Sequence, residues 1–454
     1  MKFKINPNIF RAYDIRGVYN KDLTDEIALK IGRALGTFLD GKGTICVGFD
    51  TRPSSPTLFE NLISGLVSTG CKVISIGMVP NPVAYFFALK HKIFGCYVTA
   101  SHNPVEWNGF KIFKPNGVSF TKEMKNLESI FNSGKFIIGK GNIKENKNAI
   151  KEYAGFLENK FGKLKGKIVV DFLGGAGVNA VKIFKKIGLK VIPLHDKPDA
   201  SLYGFHRLEP WGDLLNLTKE TVKKEKADFG VAFDADADRS VFVDSSGNFV
   251  DPSVLNAIFV NDLLKKRKKG KIIATYDCAS ELENFVRELK SILLRSRIGH
   301  SFIEEKLVEE KAIFGGEQSS HFYFNIFYPF SDGILSTLYL VKILNETKKG
   351  LDELASQFKF YPIAKLYIDA GTDEIKIKTV EKIRKKYPNS IDIVDGFKIS
   401  LNKTEWVLVR GSQTLPEVNL CIEAKNENRL SDLIKEYSEI IKEKIREEIG
   451  CYEK

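Results

Sequence analysis

The chain has 454 residues, of which 43% are hydrophobic, so its length allows about three or four compact domains and its composition excludes a disordered protein. Lysine and arginine number 69 against 57 for aspartate and glutamate, and the formal charge of +12 suits a nucleic acid, an anionic membrane or a small phosphorylated substrate. The N-terminus has no apolar signal-like segment and no apolar run reaches the roughly 18 residues of a membrane span, which predicts a soluble, cytoplasmic protein with no membrane partner.

Helices and strands alternate through the first hundred residues. An apolar segment with two arginines comes first, and an edge strand with solvated arginines would explain it: Ile9-Phe10-Arg11-Ala12-Tyr13-Asp14-Ile15-Arg16-Gly17. Helical spacing over 24–39 follows Thr24, a residue type that caps helices, and a strand is predicted over 44–49. Helix, strand, helix and strand follow through residue 98. This alternation predicts a parallel α/β sheet with functional loops, such as the turn at 50–55, at the carboxyl ends of its strands.

The strand over 93–98 leads into Thr99-Ala100-Ser101-His102-Asn103-Pro104. We expect an exposed loop with Ser101 at its tip, because Pro104 fixes its own φ and pushes Asn103 out of the helical region. A serine hydroxyl needs a base, a metal or a pre-loaded group before it acts as a nucleophile. His102 is adjacent, but neighbours along a strand point to opposite faces, so a Ser101-His102 couple is not implied. An ordinary turn after a strand explains this stretch equally well.

The same layout begins again after a polar stretch near residues 133–149, with a strand over 167–172, a helix over 178–187 and a strand over 190–194. Gly175, Gly177 and Ala180 join the first strand to the helix, and Asp196 follows about twenty residues later, which resembles a dinucleotide-binding fingerprint. A nicotinamide-dependent oxidoreductase would depend on this turn. A plain glycine turn between strand and helix is the commoner explanation.

Three aspartates follow the apolar strand over 229–233, at Asp234, Asp236 and Asp238, before Arg239 and a strand over 240–243. On an extended chain their carboxylates point to one side. At ~4 Å and an effective dielectric near 20, each like-charged pair costs on the order of 4 kcal/mol, which a divalent cation would offset. Arg239 and Ser245 stand where a calcium-binding EF-hand needs glycine and glutamate, so magnesium bound to a phosphate fits better. The alternative is an exposed acidic turn.

Two further loops carry polar groups. The third segment contains Arg297 and His300 and the loop Gly315-Gly316-Glu317-Gln318-Ser319-Ser320-His321, which is suited to vicinal hydroxyls. The fourth segment, from about residue 364, is predicted to have two or three strands, a long C-terminal helix and the loop Arg410-Gly411-Ser412-Gln413-Thr414, whose groups would form an anion nest. The basic run over 265–269 complements the end of a helix, so a nucleic acid partner is a minor hypothesis. The six cysteines have no zinc-like spacing.

Together these motifs resemble the α-D-phosphohexomutases, the phosphomannomutase/phosphoglucomutase superfamily, from Phe10 through Ser412. The resemblance implies an α/β fold of three related mixed α/β/α domains plus a C-terminal α+β domain around a central active-site cleft. We accordingly expect domains at 1–148 with the phosphoserine loop, 149–249 with the metal loop, 250–362 with the sugar loop and 363–454 with the phosphate loop.

The resemblance also implies the site. Ser101 would be the phosphoserine and would hold Mg²⁺ through its phosphate together with Asp234, Asp236 and Asp238. Arg16, His102, Lys111, Arg239 and His321 would serve catalysis, with Lys111 or His321 assisting proton transfer. Substrate would be bound by residues that read the sugar hydroxyls and grip the distal phosphate: Tyr13, Arg297, His300, Glu317, Ser319, Arg410, Ser412, Gln413 and Thr414.

The implied reaction interconverts hexose 1-phosphate and hexose 6-phosphate through a hexose 1,6-bisphosphate. The resemblance also implies that the enzyme is a monomer or a homodimer. Glu317-Gln318-Ser319 resembles phosphoglucosamine mutases, whereas Ala235 and Ala237 replace glycines common in them. We therefore expect a mannose and glucose phosphate mutase, with phosphoglucosamine mutase as the alternative. The phosphate loop departs from the family pattern at Leu415, Pro416 and Asn419, so one phosphate contact is missing or comes from elsewhere.

Overall fold

The computed structural model describes residues 9–199, 201–205, 210–393, 395–413 and 415–452. The chain folds into two compact units. The first contains the residues up to Pro252 together with His300–Gly315 and Ser319–Ser356, and the second contains Ser253–Gly299, Gly316–Gln318 and Gln357–Lys454. Each unit is described by itself.

Residues 9–150 contain a six-stranded sheet in the order β1-β5-β4-β2-β3-β6, with helices between its strands. Their bounds are β1 Asp14–Val18, α1 Asp25–Phe38, β2 Thr44–Phe49, α2 Ser55–Val67, β3 Lys72–Met78, α3 Asn81–His91, β4 Phe94–Val98, β5 Trp107–Phe113, α4 Glu123–Ser133 and β6 Asn142–Glu145. The predicted parallel pairing is confirmed for β2 with β3 and β4. The sheet is mixed, however, because β5 runs antiparallel to both β1 and β4.

Local chemistry explains the first helices. Thr24 caps α1, since its hydroxyl accepts a hydrogen bond from the backbone N–H of Ile27, and Asp25 and Glu26 in the first turn favour the helix dipole. Helices α1 and α2 pack closely through Gly32 and Gly65. A Cβ atom added to Gly32 would lie 2.2 Å from the carbonyl oxygen of Leu62, so a larger residue does not fit this contact unless the helices separate.

A second sheet has the order β10-β9-β7-β8 and also lies in the first unit. Its elements are α5 Ala149–Phe161, β7 Lys167–Asp171, a 3₁₀ turn at Ala176–Asn179, α6 Ala180–Ile187, β8 Lys190–Leu194, α7 Asn216–Glu225, β9 Phe229–Phe233 and β10 Ser240–Asp244. Strand β7 is parallel to β8 and β9, whereas β10 returns antiparallel to β9. The aspartate turn joins β9 to β10.

The third segment again alternates the two element types. Its elements are α8 Pro252–Arg267, β11 Lys271–Thr275, α9 Glu281–Glu288, β12 Ile292–Ser296, α10 His300–Glu309, β13 Phe314–Gly316, β14 Phe322–Tyr323, α11 Gly333–Thr347 and α12 Leu351–Ala355. Strands β11 and β12 are parallel neighbours in the second unit. The basic run begins in the last turn of α8, as expected.

The C-terminal segment is an antiparallel sheet in the order β15-β19-β18-β17-β16, packed against two helices. Its elements are β15 Ile363–Asp369, α13 Asp373–Lys385, β16 Ile391–Asp392, β17 Gly396–Ser400, β18 Trp406–Gly411, β19 Glu417–Glu423 and α14 Glu427–Tyr452. The sheet has five strands, so the prediction of two or three strands is wrong. Strand β16 has only two residues, and buried and exposed residues alternate imperfectly along β15 and β17, so these strands have a weak sequence pattern. The α+β character predicted for this segment is confirmed.

Among the described residues, no helix is long and apolar enough to cross a lipid bilayer. The five cysteines whose side chains are described are buried free thiols, and burial raises the pKa of each of them. Cys451 lies outside the side chains that the structure describes.

Candidate active site

Ser101 follows β4 in a buried loop of the first unit. The residue is only 4% exposed, so the expectation of an exposed loop tip is wrong. Its φ of +49° is left-handed, a conformation that few residues with a Cβ atom adopt. The Ser101 N–H donates to Oγ1 of Thr99 over 2.7 Å. The loop is therefore held inward by hydrogen bonds.

The three aspartates lie in a tight turn between β9 and β10. The N–H of Ala237 donates to the carbonyl of Asp234 over 3.1 Å, and Ala237 has a φ of +61°. The predicted extended chain is therefore wrong, but the three carboxylates do lie close together, as expected. One oxygen of each carboxylate, from Asp234, Asp236 and Asp238, lies within 4.8 Å of the others, and all three residues are buried.

Ser101 and Lys111 both contact this aspartate turn. The Ser101 hydroxyl donates to Oδ2 of Asp234 over 2.9 Å, and the Lys111 ammonium lies 2.8 Å from Asp236 and 2.7 Å from Asp238. Burial and the two neighbouring carboxylates raise the pKa of Asp234 well above its usual value. Burial opposes the charge of Lys111, but Asp236 and Asp238 outweigh it and raise the pKa of the ammonium.

The aspartate turn has the donor set of a site for a small, hard cation. Within the described part of the chain, Oδ1 of Asp236 is a buried carboxylate oxygen with no hydrogen-bond partner. Carboxylate oxygens are the ligands that Mg²⁺ prefers. The residues present therefore fit a magnesium ion.

Arg239, directly after the turn, lies between two imidazoles. Its Nη2 is 2.9 Å from Nδ1 of His102, and its Nε donates to Nε2 of His321 over 3.3 Å. Burial and the guanidiniums of Arg239 and Arg16 hold the pKa of His102 well below its usual value. The Ser101 hydroxyl also lies 3.4 Å from Nδ1 of His102, a proximity that strand alternation did not imply, because the loop is not a strand.

Arg16 and Ser319 complete the group of predicted residues near Ser101. Arg16 donates from Nη1 to the carbonyl of Thr99 over 2.5 Å and pairs with Asp14 at 2.7 Å, so it is buried rather than a solvated edge residue. Ser319 lies with its hydroxyl 2.9 Å from Nδ1 of His321, whose Nε2 is 3.2 Å from Asp238. These contacts link both residues to the Ser101 loop and the aspartate turn.

Tyr13 and His300 form a separate pair in the same unit. Their rings meet edge to face, with centroids 4.8 Å apart, and Nδ1 of His300 lies 3.2 Å from a carboxylate oxygen of Glu304. The structure thus brings these two predicted substrate residues together.

The second unit contains the other predicted substrate residues. Glu317 is buried, and Arg297 is partly exposed in the loop after β12. Arg410 lies at the end of β18, with Nη2 2.8 Å from a carboxylate oxygen of Asp395, and the amide of Gln413 donates to the same oxygen over 3.1 Å. Thr414 lies outside the described residues.

Lys376 fixes the backbone of the loop after Arg410. This nearly buried ammonium, from α13, donates to the carbonyls of Ser412 and Leu415 over 2.8 and 3.1 Å. Neither Lys376 nor Asp395 was identified from the sequence. Lys376 is distant along the chain from the loop that begins at Arg410, and Asp395 is an acid whereas that loop was predicted to bind an anion. No local sequence signal therefore indicates either residue.

The glycine turn at 174–177 packs against the aspartate turn. The N–H of Ala176 donates to the carbonyl of Ala235 over 2.8 Å, and a Cβ atom added to Gly175 would lie 2.5 Å from that carbonyl oxygen. Glycine is required here because two backbone segments approach each other closely. This contact explains the pattern that resembles a nucleotide fingerprint.

Three family models match this chain in order. They describe phosphoglucomutase/phosphomannomutase α/β/α domains I, II and III, and they match residues 7–137, 148–247 and 251–361. These matches agree with the predicted fold class, which is confirmed.

Curated relatives and solved structures resemble nearly the whole chain. A probable phosphoglucosamine mutase of Thermococcus gammatolerans is 34% identical, over 96% of this chain and 99% of the relative. A phosphoglucomutase/phosphomannomutase of Thermococcus kodakarensis is 33% identical, with the same coverage. The crystal structure of a phosphoglucomutase/phosphomannomutase family protein from Burkholderia thailandensis matches with a TM-score of 0.85 and 28% identity, over 97% of this chain and 98% of that one.

Proposed function

We propose, from the premise that this chain belongs to the phosphoglucomutase/phosphomannomutase family, that it interconverts glucosamine 6-phosphate and glucosamine 1-phosphate. Phosphohexomutases are enzymes that transfer phosphate intramolecularly, and the chain is one of them. The observation that carries the phosphoryl-transfer part of the proposal is the buried Ser101 hydroxyl, which lies against Asp234 in a group that also contains Lys111.

In this proposal Ser101 carries the phosphoryl group. The P–Oγ bond of phosphoserine breaks as a hydroxyl oxygen of the hexose phosphate bonds to phosphorus, which gives a hexose 1,6-bisphosphate. The hydroxyl proton passes to a base, and His321 is the proposed acceptor. Lys111 is proposed to assist as an ammonium, because Asp236 and Asp238 keep it protonated. The bisphosphate then returns its other phosphoryl group to Ser101, so the enzyme ends the cycle phosphorylated.

Asp234, Asp236 and Asp238 would hold Mg²⁺, which when bound supplies positive charge to the phosphoryl oxygens. The chain provides further charge of its own. Arg239 lies 3.6 Å from Asp234, and Arg16 donates to the backbone of the Ser101 loop. Both guanidiniums are nearly buried, where an electrostatic interaction is stronger than in water.

The remaining predicted residues would bind the substrate. Glu317 and Ser319 are proposed to accept and donate hydrogen bonds at the sugar hydroxyls, with Tyr13, Arg297 and His300 as further contacts. Arg410, Ser412, Gln413 and Thr414 are proposed to bind the phosphate that does not react, because a guanidinium and neighbouring hydroxyls suit a phosphate group.

The proposed glucosamine specificity is supported by the names of relatives and by one motif, Glu317-Gln318-Ser319, which resembles that of phosphoglucosamine mutases. Several relatives with about 34% identity over nearly the whole chain are named probable phosphoglucosamine mutase, and this favours glucosamine over the glucose and mannose preference expected from the sequence. Glucose and mannose phosphates remain the second candidate because a relative of 33% identity bears the phosphoglucomutase/phosphomannomutase name. Ala235 and Ala237 in the aspartate turn support the same candidate.

The test has two parts. The purified protein is incubated with glucose 1,6-bisphosphate and Mg²⁺, and peptide mass spectrometry should find one phosphate on the Ser101 peptide, none in Ser101→Ala and wild-type labelling in the control Ser133→Ala. Absence of phosphate on wild-type Ser101 would refute the mechanism. Initial rates with the 6-phosphates of glucosamine, glucose and mannose then decide the sugar, and a higher kcat/KM for glucose or mannose would refute the glucosamine assignment.

A further inference from the structure

Arg52 is buried beside the Ser101 loop, and the catalytic scheme above gives it no role. It follows β2, which is the parallel neighbour of β4, so the two loops leave the same edge of the sheet. Only 1% of Arg52 is exposed. A buried guanidinium is costly to desolvate unless its donors are satisfied, so its hydrogen bonds indicate what it is for.

The Arg52 guanidinium donates four hydrogen bonds to backbone carbonyls of the Ser101 loop and the start of β5. They reach Ser101, Asn103 and Pro104 over 2.6 Å each and Trp107 over 3.1 Å. Four carbonyl dipoles that converge on one point repel one another. A planar cation among them attracts all four oxygens and makes the arrangement favourable.

Asp50 extends the same arrangement to the Ser101 amide. Its Oδ2 lies 3.3 Å from Nε of Arg52 and accepts the Thr99 hydroxyl over 2.7 Å, and Thr99 Oγ1 in turn accepts the Ser101 N–H over 2.7 Å. The Asp50–Arg52 pair therefore fixes Ser101 on both sides, through its carbonyl and through its N–H. A left-handed non-glycine residue persists only where its surroundings impose that conformation.

We propose that Arg52 is a positioning residue for phosphoryl transfer, which holds the Ser101 loop in the conformation that places Oγ against Asp234. This inference rests on the proposed function of Ser101. The four hydrogen bonds of Arg52 go to the loop backbone and to Trp107, none of which is a predicted sugar-binding group, so its loss should slow transfer without weakening substrate binding. Lysine has three donors for four carbonyls and lacks the planar fork, so it should not replace arginine.

Arg52→Lys is the test, and Arg295→Lys is the matched control. The Arg295 guanidinium also holds three backbone carbonyls, those of Thr275, Cys278 and Ala279, over 3.0 to 3.1 Å, but in the second unit. The readouts are the single-turnover rate of phosphoryl transfer from phosphorylated Ser101 to a hexose phosphate, and the Kd of that hexose phosphate for the unphosphorylated protein by calorimetry.

Arg52→Lys should lower the transfer rate about 100-fold, as expected for misplaced reacting atoms, and change Kd by less than about threefold. Arg295→Lys should leave the transfer rate within about threefold of wild type. A folded Arg52→Lys with near wild-type transfer, or a Kd that rises in proportion to the lost rate, would overturn the proposal.

A second variant covers the case in which Arg52→Lys does not fold. Thr99→Val keeps the shape of residue 99 but breaks the link from Asp50 to the Ser101 amide, and it should lower transfer about tenfold at unchanged Kd. Transfer equal to wild type in Thr99→Val would then overturn the proposal. Failure of the proposed function is distinguishable, because in that case wild-type Ser101 itself would transfer no phosphate.

Discussion

Replacing Lys111 by methionine should destabilise the protein strongly in the absence of divalent cations. Methionine keeps most of the side-chain volume but removes the ammonium that lies 2.8 and 2.7 Å from Asp236 and Asp238. All three side chains are at most 3% exposed, so water cannot take the place of the ammonium. The two carboxylates would then face each other and Asp234 without a counter-charge.

The magnitude follows from this burial. Breaking a buried ion pair by removing one partner typically costs about 3–5 kcal/mol, which corresponds to a fall in melting temperature of roughly 10 °C. The control is Lys114→Met, at the residue directly after β5. Lys114 pairs with Glu123 at 2.9 Å, but both side chains are about a quarter exposed, so its loss should cost no more than about 1 kcal/mol.

Thermal unfolding with a chelator and with millimolar Mg²⁺ is the assay. If the aspartates bind the cation, Mg²⁺ should raise the melting temperature of Lys111→Met by more than it raises that of wild type, because it offsets a larger repulsion. An Lys111→Met protein that melts with wild type in chelator, or one that Mg²⁺ leaves unchanged, would refute the account of this charge cluster.

Two further predictions concern the first unit. Gly175→Ala should destabilise the protein by about 1–3 kcal/mol, because its Cβ would lie 2.5 Å from the carbonyl oxygen of Ala235, whereas Gly155→Ala in α5, where a Cβ meets nothing within 4 Å, should stabilise it by about 0.5–1 kcal/mol. Chemical denaturation measures the change in the free energy of unfolding for both variants, and changes of the same sign would contradict this prediction. Burial raises the pKa of Asp332 to about 6, so the folded state holds its proton more tightly than the unfolded state and stability should fall as pH rises from about 4 to 6. Asp332→Asn removes this loss, so its free energy of unfolding relative to wild type should rise by about 3 kcal/mol between pH 4 and 7, and a parallel pH profile would exclude the assignment.

The sequence predicts those parts of the fold that depend on local patterns. Thr24 caps α1 where expected, and the apolar runs over 44–49 and 93–98 become β2 and β4, because capping chemistry and strand preference act within a few residues. The pairing of β1 with β5 brings together segments about ninety residues apart, as the register of Arg16 with Gly109 shows. No local pattern specifies such a partner, which is why the alternation of helices and strands by itself predicted a parallel sheet.

In the candidate site, too, local patterns were predicted from the sequence and long-range contacts were not. Residue types at strand ends predicted Ser101 and the aspartates as site residues, and the structure brings Ser101 into contact with Asp234. Both local conformations, however, were predicted wrongly. Ser101 is turned inward by Arg52, about fifty residues earlier, and the aspartate turn is curled by a left-handed Ala237. Long-range hydrogen bonds to backbone carbonyls decide both conformations, and a carbonyl has no sequence signature.

The backbone of the aspartate turn is held in the same way as that of the Ser101 loop, by donors from distant segments. The carbonyl of Ala235 accepts from the glycine turn, that of Asp236 from the N–H of Asn81 at the start of α3 over 2.9 Å, and that of Ala237 from Gly333 at the start of α11 over 3.2 Å. Since these carbonyls are bonded into the protein, the side-chain oxygens are the groups left for a cation. The Ser101 carbonyl is likewise bonded by Arg52, and its hydroxyl lies at the aspartates. Both loops are therefore preorganised, so little of the charge stabilisation in transfer should be lost to moving the protein's own dipoles.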